Sequence, residues 1–516
     1  NVVPNDAKYS KDISSKQDGS VMLWYTDKDN NSLYEISIGS ENGSVEANTN
    51  GSGMFAYLDN VSTLDLSGLD TSNMTSMSKM FYKSTSLTNI DTSGFDTSKV
   101  VNMNGMFWGC NNLKNIDVSN FKTSNVTDMN NMFADCSSLT TLDLSNFDTS
   151  NVLYMGNPYS YSYGGMFRNC SSLVSLNISS FNTSKVKLMG DMFSYCSSLT
   201  TLDLSNFDTS NVTSVAGMFY GCTSLKNLNL SSFNTSKVTN MSFMFGKCKN
   251  IESLNLSNFD TGNVTNMQNM FQNCELLTNL NLNNFSTSKV TNMGSMFQNC
   301  FQLKTLDLAN FDTSNVTNMV RMFNYCKALT NLNVSSFNTS KVTNMVAMFG
   351  DCVSLTNLDL SSFDTSKVTD MSSMFGNCQS LKILDLSSFN TSRVTSMAQM
   401  FRTCISLTNL NISSFDTSNV TSTWYMFRDC HKLTTLDLSN FNTAKVTNTA
   451  SMFGYCTSLK TIYVSELWNV SNVSDSDSMF YNCPSLVGTV PFDSSKTDVS
   501  MANYTNGYLT YKKNTN

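Results

Sequence analysis

The sequence predicts a solenoid of the α/β class: a right-handed coil of about 17 repeats of 26 residues. Short parallel strands would line one face, short helical or 3-10 segments the other, and a cap would close each end. Three observations predict it. Met-Phe pairs begin at seventeen positions from Met54 to Met479, and fourteen of the sixteen intervals between them are 26 residues. Leucines with a period of two follow each pair, whereas apolar residues with a helical period lead into the next one. Residues 1–53 and 484–516 lack the repeat.

The copy from Met348 to Ser373 justifies each element. Met348 and Phe349 open it, and Cys352 follows. Leu355, Leu358 and Leu360 make an L-x-x-L-x-L segment, as in leucine-rich repeats. Leu358 and Leu360 would point inward and Asp359 outward on a short half-buried strand. Phe363-Asp364-Thr365-Ser366 is rich in turn formers. Met371, Met374, Phe375 and Cys378 fall at i, i+3, i+4 and i+7, one face of a helical turn or two. A lone rung cannot cover its own two flanks, so stacking must remove them from water. Seventeen rungs at a spacing of about 4.8 Å would run roughly 80 Å.

Three regions follow. Residues 1–53 read as an N-terminal cap, because Val21–Tyr25 and Leu33–Ile38 flank a polar stretch as the arms of a β-hairpin. Residues 54–483 form the repeat array. Residues 484–516 read as a C-terminal cap in which Tyr508–Tyr511 supplies a last strand. One insertion interrupts the array: ten residues, 156–165, stand between Met155 and Met166 where two are usual. It reads as a surface loop.

Composition narrows the chemistry. All 15 Cys lie four residues after the Met of a pair, a slot that holds Leu58 and Ser84 in the first two copies. Such a column predicts buried, reduced thiols acting as small hydrophobes. The odd number argues against a disulfide framework, although pairing between neighbouring rungs stays open on sequence grounds. With one His and no C-x-x-C, zinc is disfavoured. The net charge is −7, only 14% of residues are charged, and the cations are dispersed, which disfavours nucleic acid. No apolar run is long enough to span a membrane. Asn1 opens no signal-peptide pattern, so a mature or trimmed product is expected.

Two polar columns accompany the strands. Asp143, Asn177, Asp203, Asn229, Asn255, Asn281, Asp307, Asn333 and Asp359 share one repeat position. Calcium is the ion such oxygens would suit, but a solvated, hydrogen-bonded ladder is the favoured reading, and no cofactor is expected. In the turn, Asp148, Asn182, Asp208 and Asn234 alternate, while Asn151, Lys185, Asn211 and Lys237 alternate three residues later. Opposite charges on adjacent rungs would then fix register more than they stabilise.

Candidate partner-binding residues are aromatics that break the lattice. Tyr154, Tyr159, Tyr161 and Tyr163 lie in or beside the insertion, and aromatics with Ser and Gly make adaptable contact surfaces. A neutral insertion is the alternative. Trp108, Phe243, Trp424 and Tyr425 occupy positions that are usually polar or small, with local packing as the favoured reading. No catalytic or metal residues are assigned. His431 lies beside Cys430, but a Cys–His dyad needs a pocket and an orienting group, and Cys430 belongs to the buried column.

The unit M-F-x-x-C-x-S-L-T-x-L-D-L-S-x-F-D-T-S-x-V-T-x-M, running from Met54 to Cys483, resembles the BspA-like leucine-rich repeat family of bacterial surface proteins. That resemblance implies an exported or cell-surface protein of a host-associated microbe, associated with adhesion to host matrix proteins and with co-aggregation. It implies no shared catalytic residues. The expected function is a non-enzymatic, adhesin-like binding protein, extracellular or at the cell surface. Its partner would be a host or neighbouring-cell protein or glycan. The alternative is a self-associating structural surface or filament subunit.

Overall fold

The computed structural model describes residues 3–12, 21–28, 30, 32, 34–40, 43–159 and 164–514. The chain forms two compact units, residues 1–259 and 260–516. Each is a stack of β-coils.

In the first unit the strands are β1 (Tyr9–Asp12), β2 (Met22–Thr26), β3 (Tyr34–Gly39), β4 (Val45–Glu46), β5 (Val61–Asp65), β6 (Leu69–Asp70), β7 (Asn89–Ile90), β8 (Thr141–Asp143) and β9 (Ser175–Asn177). The first sheet runs β1-β2-β3-β5-β7. Its β1–β2 and β2–β3 pairs are antiparallel, and β3 hands over to the parallel stack at β5. The hairpin thus supplies the partner that the first rung lacks. Leu33 lies outside the described residues.

The second unit holds β10 (Thr305–Asp307), β11 (Asn331–Asn333), β12 (Ile383–Asp385), β13 (Asn409–Asn411), β14 (Thr435–Leu438), β15 (Thr461–Val464) and β16 (Thr510–Tyr511). Parallel partners are 26 residues apart, as in Thr305 with Asn331 and Ile383 with Asn409. β16 adds in parallel to β15. Tyr508 beside it is fully buried against Phe480, and the Trp468 indole N–H donates to the Ala502 carbonyl at 3.0 Å. Lys512 forms an ion pair with Asp437.

The expected helical face is absent, and the class is β rather than α/β. Among the described residues the only helical turn is a 3-10 turn at Val499–Met501, in the C-terminal cap. Met371, Met374, Phe375 and Cys378 are all buried, so the inward set is as expected. The backbone that delivers it is different. Ser373 and Asn377 are left-handed, with φ of 57° and 62°. Between them run i→i+3 bonds, from Met374 N–H to Met371 O (3.1 Å), Gly376 to Ser373 (3.0 Å) and Cys378 to Phe375 (3.2 Å). The alternate N–H groups point to the next rung. Met371 donates to Ser396 O, Ser373 to Ala398 O, Phe375 to Met400 O and Asn377 to Arg402 O, at 2.6–3.2 Å.

Space explains the substitution of turns for helix. A helix with side chains is about 10–12 Å across. The stacked rings of Phe349, Phe375 and Phe401 are 5.7 and 5.9 Å apart. No helix fits that spacing. A helix would also keep its N–H groups for itself and leave the neighbouring rung's carbonyls unpaired in a dry interior.

The same two positions, one before and three after the Met, are left-handed along both units. Lys79, Asp135, Tyr195, Arg321, Ala347 and Thr403 adopt this backbone without being Gly. Each costs roughly 1–2 kcal/mol relative to right-handed backbone. The bond to the next rung holds it there.

Side chains supply the rest of the ladder. Thr391 Oγ1 donates to Asp416 O at 2.8 Å and accepts from Asp416 N–H at 2.8 Å. Asn310 Nδ2 donates to the carbonyls of Leu282 and Phe285 on the preceding rung. The cysteines do likewise, which corrects their reading as plain small hydrophobes. Cys352 Sγ donates to Phe323 O at 3.2 Å, and the bond recurs at Cys110, Cys222, Cys404 and Cys483. Ser84 makes the same bond to Phe55 O at 2.7 Å, which explains why Ser shares the column. All fifteen thiols are free and buried. Burial pushes the Cys352 pKa up to about 12, so the donor proton stays in place.

The Asp/Asn columns close local turns. Ser361 N–H donates to Asp359 Oδ1, Ser366 N–H to Asp364 Oδ1 and Ser335 N–H to Asn333 Oδ1. One acceptor oxygen is enough, so Asp and Asn interchange. The alternating lysines pair with asparagine, not with the aspartates of the adjacent rung as expected. Lys289 Nζ reaches Asn263 Oδ1 and Lys341 Nζ reaches Asn315 Oδ1, both at 2.6 Å. Asn315 Nδ2 in turn donates to Ser288 O at 2.8 Å. Among the described residues no three His, Cys, Asp or Glu side chains are grouped to hold a metal.

Three outcomes follow from this lattice. Cys352→Ala removes one of the two donors to Phe323 O, which keeps the Cys326 N–H at 3.0 Å, and should lower stability by about 0.5–1.5 kcal/mol, whereas Cys352→Ser, which keeps a donor, should lose less; chemical denaturation of the two variants measures the difference. Thr403, branched and left-handed at φ 58°, should gain about 0.5–1 kcal/mol as Thr403→Gly, after the entropy that Gly adds to the unfolded chain. Hydrogen bonds from Ser side chains and backbone hold Asp148, Asp312 and Asp364 below the ordinary carboxylate range. A depressed native pKa stabilises above the unfolded value, so melting temperature should be flat from neutral pH to about 5 and fall as pH drops through about 4 and below.

Candidate functional site

The Met-Phe arc presents two outward positions per rung, two and three residues after the Met, beside the outward positions that precede it. Most carry small or polar side chains. Aromatics and cations gather there in three places.

In the first unit, Trp108 packs edge-on against Tyr82 at 4.9 Å, and Tyr82 against Tyr57 at 5.3 Å. Lys79 lies over the rings of both Tyr82 and Trp108. The Trp108 indole N–H donates to Asp135 Oδ2 at 2.8 Å, and Arg168 pairs with the other oxygen at 3.1 Å. Trp108 is therefore anchored at both its edge and its face. Phe243 is 9% exposed and meets Tyr220 edge-on at 5.7 Å, so it belongs to packing and not to a contact surface.

The second unit holds the fullest cluster. Trp424 stacks on Tyr425 with ring centres 4.4 Å apart. The Arg428 guanidinium sits between Tyr425 (4.6 Å) and Tyr455 (4.9 Å), and its Nε pairs with Asp429 at 3.4 Å. Tyr455 meets Tyr481 edge-on at 5.2 Å. A groove of about 460 Å³ is lined here by Tyr425, Arg428, Tyr455, Tyr481, Asp475 and Asp477. Trp424 is half-buried, and its indole N–H has no partner among the described residues. Neighbouring rungs place Ser372, Ala398 and Ala450 at the same position. The structure thus joins Trp424 and Tyr425 to Arg428, Tyr455 and Tyr481, which sequence reasoning missed. The missed signal was a set of aromatics two or three residues after the Met, seen also at Tyr82, Tyr195 and Tyr220.

The insertion is tied down at its described ends. Asn157 N–H donates to Gly190 O at 3.1 Å, and the Pro158 carbonyl accepts from Ser214 Oγ and Asn240 Nδ2. A Cβ on Gly190 would lie 2.1 Å from Asn157 O, and one on Gly156 would lie 2.1 Å from Gly190 O. Gly is required on both sides of this contact. Tyr159 is 68% exposed and Tyr154 38%. Tyr161 and Tyr163 lie outside the described residues.

On the strand face a shallow groove of about 700 Å³ runs along Thr305, Asp307, Asn333, Asp359, Ile383 and Asp385. His431 and Cys430 bond elsewhere: His431 Nδ1 lies 2.9 Å from Tyr455 O, and Cys430 Sγ donates to Phe401 O. A carbonyl only accepts, so that nitrogen carries the ring proton. Among the described residues no helix is long and apolar enough to cross a membrane.

Solved structures similar to this chain include a leucine-rich repeat protein from Eubacterium ventriosum ATCC 27560, at 14% identity and TM-score 0.25, covering 90% of this chain and 95% of that one. TLR13 from a TLR13-ssRNA13 complex is similar at 15% identity and TM-score 0.18, covering 90% of this chain and 75% of that one. No curated protein matches the chain. The family model described as "Mycoplasma protein of unknown function, DUF285" matches residues 49–164, 161–253, 197–306, 221–330, 299–384 and 379–491. These matches span nearly all of the repeat array, and the chain belongs to the DUF285 family.

Proposed function

We propose that this protein is a non-enzymatic, adhesin-like binding protein, extracellular or at the cell surface, of the BspA-like kind. It offers its repeat surface to a protein or glycan of a host or neighbouring cell. One observation carries the reading: the Trp424–Tyr425 stack beside the Arg428–Tyr455–Tyr481 groove. The lattice there calls for small side chains and receives a tryptophan with an unused donor. Trp, Tyr and Arg are the side chains that dominate binding energy at interfaces. The thiol nearest the single histidine is buried and engaged with a carbonyl, which favours binding over nucleophilic catalysis.

The filament reading is weaker. The edge strand β1 exposes Lys11, a charge that discourages edge-to-edge pairing. Residues 484–514 cover the last rung, with Phe480 N–H donating to Thr497 O at 2.9 Å.

Binding of the purified chain to a panel of matrix proteins and glycans should identify a partner that Trp424→Ala weakens by about tenfold or more, the size of a hot-spot truncation. A partner bound equally by both forms would remove this patch as the contact. A panel with no partner at all would count against the binding reading.

A further inference from the structure

We propose that a depression between Arg321 and Arg402 binds a short acidic oligosaccharide. The proposal rests on the binding reading and adds a site and a ligand class. The depression lies within the second unit and measures about 710 Å³. Arg321 and Tyr325 form one wall, Gln399 and Arg402 the other, and Ala347 and Gly376 the floor.

Its origin is a local run of small residues. The position before the Met holds Ala347 and Ser373 on two successive rungs, but Arg321 and Gln399 on the rungs either side. Two residues after the Met come Gly350 and Gly376, then Arg402. The walls stand three rungs apart, about 14 Å at strand spacing. An extended chain of three or four sugars bridges that distance.

Charge selects the ligand. The chain has only five arginines, and four of them stand on this arc. Arg168 and Arg428 are neutralised by Asp135 and Asp429. Arg321 and Arg402 make no ion pair among the described residues. Arg402 is steered by Gln399 Oε1 at 3.1 Å and lies 5.7 Å from the Tyr425 ring centre. Lys327 does not line the depression; its ammonium lies over the Phe301 ring at 5.0 Å and over that of the lining residue Tyr325 at 5.8 Å. The one lining carboxylate, Asp351, already accepts from Asn377 Nδ2 at 2.6 Å. Guanidinium groups engage carboxylates in paired hydrogen bonds.

The remaining lining points to sugar. Gln298 and Asn377 are tied into amide ladders with Gln272, Asn324, Asp351 and Gln379, so the Gln399 side-chain NH2 is the lining amide left to meet ring hydroxyls, and Tyr325, 39% exposed, offers a partly covered ring. A peptide bound through its backbone or apolar side chains would want a free strand edge or apolar pockets, and this depression offers neither; an acidic peptide held by the arginines alone is the competitor that a hexaglutamate probe tests. A long nucleic acid would meet a chain of net charge −7 without a lysine cluster.

Calorimetry on the full chain tests the site with four probes: a tetrasaccharide of alternating uronic acid and N-acetylhexosamine, a neutral N-acetylhexosamine tetrasaccharide, a hexaglutamate peptide and a short single-stranded DNA. The acidic sugar should bind about tenfold or more tighter than the other three. Arg321→Gln and Arg402→Gln should each weaken it by about tenfold, with thermal unfolding unchanged because both side chains are exposed. Arg402→Lys, which keeps charge but not the fork, should fall between. Equal binding of the neutral sugar, the peptide or the DNA would overturn the proposal, as would undiminished binding by the double Arg→Gln variant. If no acidic sugar binds while a Trp424-dependent partner still does, the site is refuted and the function stands.

Discussion

The structure depends on one constraint: backbone N–H and C=O groups of a narrow coil must find partners on the coils above and below. Strands meet it only over runs of two to six residues. Elsewhere the chain turns, and turns bury polar groups that no regular ladder serves. The repeat answers with left-handed residues at fixed places, which aim alternate N–H groups along the stack, and with short side chains that reach the remaining carbonyls. Thr, Asn, Ser and Cys are chosen for donors at the right height. The repeat is therefore a hydrogen-bonding register as much as a hydrophobic one.

That constraint ties the core to the surface. Phe rings stack down the interior with nearly parallel planes, as between Phe427 and Phe453 at 5.9 Å and 1°. Such stacking requires the arc to climb as tightly as the strands. A tight arc leaves the outward side chains of successive rungs close together. An aromatic placed on one rung then meets an aromatic or a cation on the next, as Arg428 meets Tyr455. Where the lattice supplies Ala or Gly instead, a depression opens. Binding surface can thus be written into this fold by changing outward residues alone, while the buried columns remain untouched.

Much of this was legible in the sequence. The alternation of Leu306, Asp307 and Leu308 marked the strand at β10, whereas the same alternation at Leu358, Asp359 and Leu360 carries no strand and leaves Leu358 half-buried; the 26-residue period marked the stack. The arc was misread because two four-residue turns return side chains to one face at i, i+3, i+4 and i+7, the same face a helix would show. The distinguishing signal was present: Gly105 with Gly109, and Gly217 with Gly221, stand four apart at the two left-handed positions. Ser84 was the clue that the cysteine column donates hydrogen bonds. In the candidate site, Trp424 and Tyr425 stood out because they broke the lattice, whereas Tyr455 and Arg428 fell at positions where many side chains are allowed. Phe243 also broke the lattice, yet it is covered by its contact with Tyr220. Sequence spacing alone does not say whether an aromatic covers the coil or faces water.

Far-UV circular dichroism of the purified chain tests the central claim most directly. A stack whose arcs are left-handed turns bonded rung to rung predicts the single weak minimum of β structure. The double minimum of α-helix, at a strength that seventeen helical arcs would produce, would contradict it.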